Sequence, residues 1–141
     1  MSASTMLATA VLFVWLGMVL AISFMETPLK FRAPGVTVQL GLGIGRLVFR
    51  ALNAAELVLA SVLVIALVVA TPPARVVTGA AVAVVVLAAQ VALVRPVLSR
   101  RSDRVLAGES PPRSRAHYWY VGLELVKVVA LPVTGVMLMH L

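Results

Sequence analysis

Long apolar segments alternate with short polar ones along the chain, and their lengths predict where helices cross a membrane. The first segment, 6–25, contains no charged residue and stops before Glu26. The third, 76–94, lies between a pair of prolines and Arg95. A helix needs about 20 apolar residues to cross about 30 Å of hydrocarbon. Both segments therefore predict membrane-spanning helices.

The second segment reaches that length only by taking in polar residues. Its uninterrupted apolar part, 57–70, is about 21 Å long as a helix. A helix that spans the bilayer must extend back to about Ala51, which draws Asn53 and Glu56 into the membrane. Ionisable residues at membrane depth are costly and usually face the interior of a bundle.

The fourth segment repeats this arrangement. Counted back from Leu141, a span of about 20 residues contains Glu124 and Lys127. The sequence thus predicts an all-α fold, an integral membrane four-helix bundle with both termini on the extracytoplasmic side, forming a single domain over 1–141. Its predicted helices are about 6–25, 47–70, 76–94 and 119–139, joined by a glycine-rich link 27–46 and a basic link 95–118.

Composition supports a membrane protein and excludes several other classes. Hydrophobic residues make up 62% of the 141 residues and charged residues 12%, against about 25% charged in a soluble domain. These values exclude a soluble enzyme and a nucleic-acid-binding domain, despite a net charge of +7. The chain has no cysteine, so disulfides and thiolate metal sites are excluded. No paired-histidine motif is present either, and we expect no metal and no cofactor.

Basic residues predict the orientation of the bundle. Eleven of the 12 Lys and Arg residues lie in or beside the two long links, and Arg75 is the exception. Short loops rich in Lys and Arg stay in the cytoplasm, so we expect a multi-pass protein of the bacterial inner membrane with both links inside. The eleven are Lys30, Arg32, Arg46, Arg50, Arg95, Arg100, Arg101, Arg104, Arg113, Arg115 and Lys127. Six of them, Arg95 to Arg115 in the second link, are interpreted as orienting residues that touch anionic lipid.

Polar residues at the ends of the four predicted helices gather at the same side of the membrane. They predict a ligand-binding site made of Glu26, Arg46, Arg50, Asn53, Glu56, Gln90, His117, Tyr120, Glu124 and Lys127. The i,i+3 spacing of Glu124 and Lys127 favours an ion pair, whereas the partner of Glu56 is expected from another helix. The alternative interpretation is that these residues are interfacial anchors and a structural ion pair.

The glycine-rich link suggests a second kind of site. Gly41, Gly43 and Gly45 precede Arg46 at the predicted start of the second helix. Free amides at a helix N-terminus, together with an arginine, can hold an anion such as a lipid phosphate. The alternative is that these glycines permit close helix packing.

Two resemblances are carried by short motifs. The blocks Trp15–Phe31 and Gly45–Glu56, with Arg95-Pro and the downstream His117 and Glu124, resemble uncharacterised bacterial four-span membrane proteins. These are related to the eukaryotic transmembrane family linked to platinum-drug resistance. Separately, Arg50-Ala-Leu-Asn53-Ala-Ala-Glu56 resembles a signature of glutathione-utilising membrane enzymes of eicosanoid metabolism. This second resemblance implies that Arg50, Asn53 and Glu56 hold a thiol peptide.

The predicted function follows from the polar layer. We expect a protein without catalytic residues that binds or transports an anionic or amphiphilic ligand, or that serves as an accessory subunit of a larger membrane complex. Its expected partners are membrane lipids with anionic headgroups, a second copy of the chain or other subunits, and no nucleic acid. The alternatives are a membrane-embedded glutathione- or lipid-dependent enzyme and a purely structural partner.

Overall fold

The computed structural model describes residues 1–110 and 115–141, and the fold of these residues is entirely helical. Four of its helices are long and apolar enough to span a membrane, as the sequence predicts. They are α1 (Ala3–Lys30), α2 (Val38–Ala70), α3 (Ala74–Leu106) and α4 (Ala116–Met139). Arg113 lies outside the described residues.

Local side-chain chemistry accounts for where the helices begin and end. Ser2 caps α1, its hydroxyl accepting a hydrogen bond from the amide of Thr5, and the hydroxyl of Thr37 accepts from Leu40 in the same way at α2. Thr71, with a φ of 46°, ends α2 in the left-handed conformation. Since Pro72 and Pro73 follow directly, α2 and α3 are joined by a very short turn.

All four helices are longer than predicted at the end that carries the basic residues. Residues 27–30 extend α1, 38–46 belong to α2, and 95–106 extend α3, so most of the two predicted links is helical. Helix ends are expected at Pro28 and Pro96 because proline lacks an amide proton.

The chain stays helical at both prolines because each follows a π-helical segment. These segments are Leu20–Glu26 in α1 and Gln90–Val94 in α3, and each proline lies in the first turn of the α-helix that resumes. The missing amide proton costs least in a first turn. A proline after such a segment therefore does not mark the end of the helix.

The apolar core occupies the half of the bundle away from the basic residues. Its largest fully buried members are Trp15, Leu12, Leu63, Leu87, Leu131 and Leu138. Close approach of α3 to α4 occurs at Gly79, which faces Thr134, and α1 meets α4 where Phe13 covers Gly135. Small residues at such crossings are the usual basis of helix association in lipid. Many valines and leucines on the outside, such as Val68 and Leu93, are exposed and available to lipid tails.

Contacts between the helices bring their polar parts to one end of the bundle. Ser23 near the end of α1 contacts Glu124 near the start of α4, and Arg46 near the start of α2 pairs with Asp103 near the end of α3. This end, formed by the C-terminal parts of α1 and α3 and the N-terminal parts of α2 and α4, is called the basic end below.

Candidate functional site

Three charged side chains form a buried ion network between α2 and α4. The ammonium group of Lys127 contacts Oε2 of Glu56 and lies 2.7 Å from Oε1 of Glu124. None of the three is more than 1% exposed. The structure confirms the i,i+3 pair predicted for Glu124 and Lys127, and it also confirms that the partner of Glu56 comes from another helix.

Neutral donors from α1 and α3 complete this network. The indole N–H of Trp15 donates to Oε2 of Glu56 at 2.7 Å, and the hydroxyl of Ser23 donates to Oε2 of Glu124 at 2.6 Å. The side-chain amide of Gln90 donates to Oε1 of Glu124 at 3.4 Å. All four helices therefore contribute to it. Buried charges are tolerated only when they are paired and hydrogen-bonded, and this arrangement meets that condition for most of the oxygens.

The two π-helical segments supply two of these donors. Ser23 lies inside Leu20–Glu26, and Gln90 is the first residue of Gln90–Val94. A π turn is wider than an α turn, and such turns are frequent at functional sites. Here both wide turns present a donor to the same carboxylate, Glu124.

An open cavity of about 840 Å³ extends from the buried ion network towards the basic end. Glu124 belongs to its wall, whereas Glu56 and Lys127 do not. Among the residues that the structure describes, the cations of the wall are Lys30, Arg46, Arg50, Arg95 and Arg101. Its apolar wall residues include Phe24, Phe31, Leu42, Phe49, Leu57, Val91 and Leu98. This space, called the basic cavity, combines positive charge with an apolar lining.

Arg95 is held in the wall of the basic cavity by two aromatic rings. Its guanidinium carbon lies 4.6 Å from the ring centre of Tyr120 and 4.9 Å from that of Phe49. The two rings meet edge to face, with their planes at 89°. Cation–π contacts of this kind fix the plane of a guanidinium group without using its hydrogen-bond donors.

Several polar atoms at the site have no hydrogen-bond partner among residues 1–110 and 115–141. They are Nε and Nη2 of Arg95, the hydroxyl of Tyr120, Oδ1 of Asn53, Oε1 of Gln90 and Oε1 of Glu56. Native proteins leave few buried polar atoms unpaired. Four of the six belong to residues of the cavity wall, namely Arg95, Tyr120 and Asn53, whereas Gln90 and Glu56 are not part of the wall.

The predicted site residues fall into three groups in the structure. Those buried together around the network are Asn53, Glu56, Gln90, Tyr120, Glu124 and Lys127. Those that line the basic cavity nearer its mouth are Arg46, Arg50 and His117, of which Arg50 and His117 are exposed. Glu26 is outside the cavity wall and lies 3.6 Å from Lys30.

The helix start predicted at Gly41, Gly43 and Gly45 is wrong, whereas anion binding there stays a prediction, because Gly41, Gly45 and Arg46 line the basic cavity. Residues 38–46 are helical, so Gly43, Gly45 and Arg46 lie inside α2, and the amide of Gly41 donates to the carbonyl of Thr37. These amides are not the free donors of a helix N-terminus. Gly41 instead lies against the ring of Phe31, which agrees with the alternative of close packing.

The site also contains residues that sequence reasoning missed. Sequence reasoning places Trp15 and Ser23 in an uncharged helix, uses Lys30 only to orient the bundle and gives Phe49 no role. Arg95 is interpreted as an orienting residue and is not among the predicted site residues. A signal was available for Trp15, because a tryptophan deep in an apolar helix must find an acceptor for its indole N–H.

The described residues hold no group of three or more His, Asp or Glu side chains that would bind a metal ion. No protein-family model, no curated protein and no solved structure matches this chain. The geometry of the basic cavity and of the buried ion network is therefore what supports any assignment of function.

Proposed function

We propose that this protein binds an anionic amphiphile in the basic cavity. The observation that carries the proposal is the composition of the cavity wall, in which cationic side chains from α1, α2 and α3 surround an apolar lining. A volume of about 840 Å³ lies within the roughly 300–1,000 Å³ range of small-molecule sites. An anionic group would bind the arginines, and an acyl or other apolar part would lie along Phe24, Leu57 and Val91.

The cavity wall keeps a positive charge after the neighbouring acidic groups are counted. Glu124 shares Lys127 with Glu56, so these three side chains formally carry one net negative charge, and Arg46 is paired with Asp103. Arg50 and Arg95 together carry two positive charges, which exceed that single negative charge. The proposed ligand is for this reason anionic rather than zwitterionic.

Binding is favoured over transport by the packing beyond the network. The half of the bundle away from the basic end is filled by fully buried leucines, including Leu12, Leu63 and Leu131. A transported ligand would have to pass this plug and the buried ion network. In the proposal the protein acts as a lipid-binding unit, either as a homo-oligomer or as an accessory subunit of a larger membrane complex.

The proposed location is the bacterial inner membrane, with the basic end in the cytoplasm. The positive-inside rule supports this orientation, because Arg75 is the one basic residue assigned to the opposite side. The basic cavity would then open toward the cytoplasmic leaflet, where anionic headgroups attract Lys and Arg.

No specific observation favours the glutathione enzyme. That alternative requires Arg50, Asn53 and Glu56 to hold one cofactor. Arg50 and Asn53 line the basic cavity, but Glu56 lies behind it, bound to Lys127 and Trp15.

Native mass spectrometry of the purified protein in neutral detergent tests the proposal. We expect the protein to retain phosphatidylglycerol in preference to phosphatidylcholine, and Arg50→Gln to reduce that preference several-fold. Arg100→Gln is the matched control, since Arg100 is exposed on α3 and is not part of the cavity wall. Equal retention of both lipids, or equal effects of the two variants, would show that the proposal is wrong.

A further inference from the structure

We infer that Arg95 is the oxyanion-binding residue of the basic cavity, and that it takes a phosphate or carboxylate group through two parallel hydrogen bonds. The inference rests on the proposed function, because it names the group that the proposed ligand must present. It assigns a specific role to a residue that charge patterning alone places among the orienting arginines.

The two unpartnered nitrogens of Arg95 lie on one edge of its guanidinium group. Nε and Nη2 are buried and have no hydrogen-bond partner within the described ranges 1–110 and 115–141. Their N–H bonds point in nearly the same direction, so this edge fits two oxygens of a carboxylate or phosphate at once. A buried charged donor left without a partner is costly, and an oxyanion would remove that cost.

The surroundings of Arg95 prepare this edge for a ligand. The rings of Phe49 and Tyr120 lie against the guanidinium group of Arg95 and hold it in place. No salt bridge joins Arg95 to an acidic residue in the described part of the chain, whereas Arg46 and Lys30 each have one. Arg95 thus differs from these cations of the cavity wall in having no carboxylate that competes with a ligand.

A second donor lies beside the same place. The hydroxyl of Tyr120 is buried, and no acceptor for it is found among the described residues. The ring of Tyr120 contacts Arg95 and the residue lines the basic cavity. A tetrahedral phosphate offers more oxygens than the arginine edge uses, so the hydroxyl would bind one of the remaining oxygens.

The test compares variants that keep or remove the arginine edge. Binding of phosphatidic acid, of a long-chain fatty acid and of inorganic phosphate is measured by calorimetry with the full chain in neutral detergent. Arg95→Lys keeps the charge but cannot form the parallel pair, and we expect about tenfold weaker binding of phosphatidic acid. The matched control, Arg100→Lys, changes the exposed arginine on the same helix and is expected to bind like the wild type. If inorganic phosphate binds as tightly as phosphatidic acid, the oxyanion is a free ion rather than a lipid headgroup.

Two further variants keep the inference testable if Arg95→Lys does not fold. Tyr120→Phe removes only the hydroxyl, and Phe49→Leu removes one ring from the guanidinium; each is expected to weaken binding about threefold. Unchanged binding in every folded variant, with anionic lipid still preferred by the wild type, would overturn the role of Arg95 and leave the proposed function intact. A wild type that binds none of the three anions and shows no preference for anionic lipid would overturn both.

Discussion

Trp15 on α1 donates its indole N–H to Oε2 of Glu56 on α2, with the two atoms 2.7 Å apart. The same carboxylate oxygen accepts from Lys127 of α4. Because the side chain of Trp15 is fully buried, this hydrogen bond satisfies a donor that lipid and apolar side chains cannot. One oxygen atom thereby connects three helices.

Replacing Trp15 by phenylalanine keeps the ring and removes this donor. We expect the free energy of unfolding to fall by about 1.5–3 kcal/mol, the usual range for a hydrogen bond to a charged group. Unfolding in mixed detergent micelles measures the change. Trp119→Phe is the control, since Trp119 is 68% exposed, and equal losses in both variants would contradict the role of Trp15.

The Lys127→Met variant leaves two carboxylates buried without their ammonium partner. Breaking a buried ion pair in this way costs about 3–5 kcal/mol, and we expect the melting temperature to fall accordingly. Adding Glu56→Gln and Glu124→Gln to the variant removes the unpaired charges and should restore most of the stability. No recovery in the triple variant would show that the charges are not the reason for the loss.

An exposed ion pair provides the comparison for Lys127. Arg104 and Glu109 lie 2.9 Å apart, and both side chains are more than half exposed. Such pairs contribute about 0–1 kcal/mol. Arg104→Met should therefore barely change the melting temperature under the same conditions.

Replacing a helical glycine by alanine should change the stability in opposite directions at Gly79 and at Gly122. A Cβ at Gly79 would collide with Oγ1 of Thr134, a fully buried residue whose hydroxyl is bonded to the carbonyl of Ala130. Gly79→Ala should lower the free energy of unfolding by about 1–3 kcal/mol. Gly122, in contrast, has no atom within 4 Å of an added Cβ.

The matched substitution Gly122→Ala should stabilise the protein by up to about 1 kcal/mol, because alanine favours a helix over glycine. Thermal unfolding of both variants side by side measures the difference. If Gly122→Ala lowered the stability as much as Gly79→Ala does, the close helix contact at Gly79 would not be the cause of the loss.

The proposed orientation can be measured directly because the natural chain contains no cysteine. Ala33 lies between α1 and α2 at the basic end, and Ala74 begins α3 at the opposite end; both are exposed. In intact bacterial cells, a membrane-impermeant maleimide should label Ala74→Cys and should label Ala33→Cys only after lysis. The reverse pattern would place the basic end outside.

Segment lengths and ion-pair spacing made much of the fold and part of the site predictable. The apolar part 57–70 is too short to span a bilayer, so Glu56 had to enter it, and the structure buries Glu56 completely. The pair of Glu124 and Lys127 followed from their positions one helical turn apart. These features depend only on local geometry and on the cost of burying charge.

Other features depend on contacts between helices and were not predictable in this way. Leu20–Glu26 and Gln90–Val94 are apolar apart from a few residues, and nothing in their composition distinguishes an i→i+5 turn from an α turn. Arg95 lies in a basic stretch and is itself only partly buried, so its contact with Phe49 and Tyr120 is visible only in three dimensions.

The wide turn at Leu20–Glu26 makes α1 sensitive to insertions and deletions in a way that its composition does not suggest. A turn of this kind takes in one residue more than an α turn, and one residue corresponds to a rotation of about 100° around the helix axis. Deleting the extra residue would let the segment close into an α-helix, so the helix on either side would keep its register while Ser23, inside the wide turn, would move relative to Glu124. Homologous chains that keep this network should therefore vary freely in the identity of the apolar residues along this stretch while conserving their number.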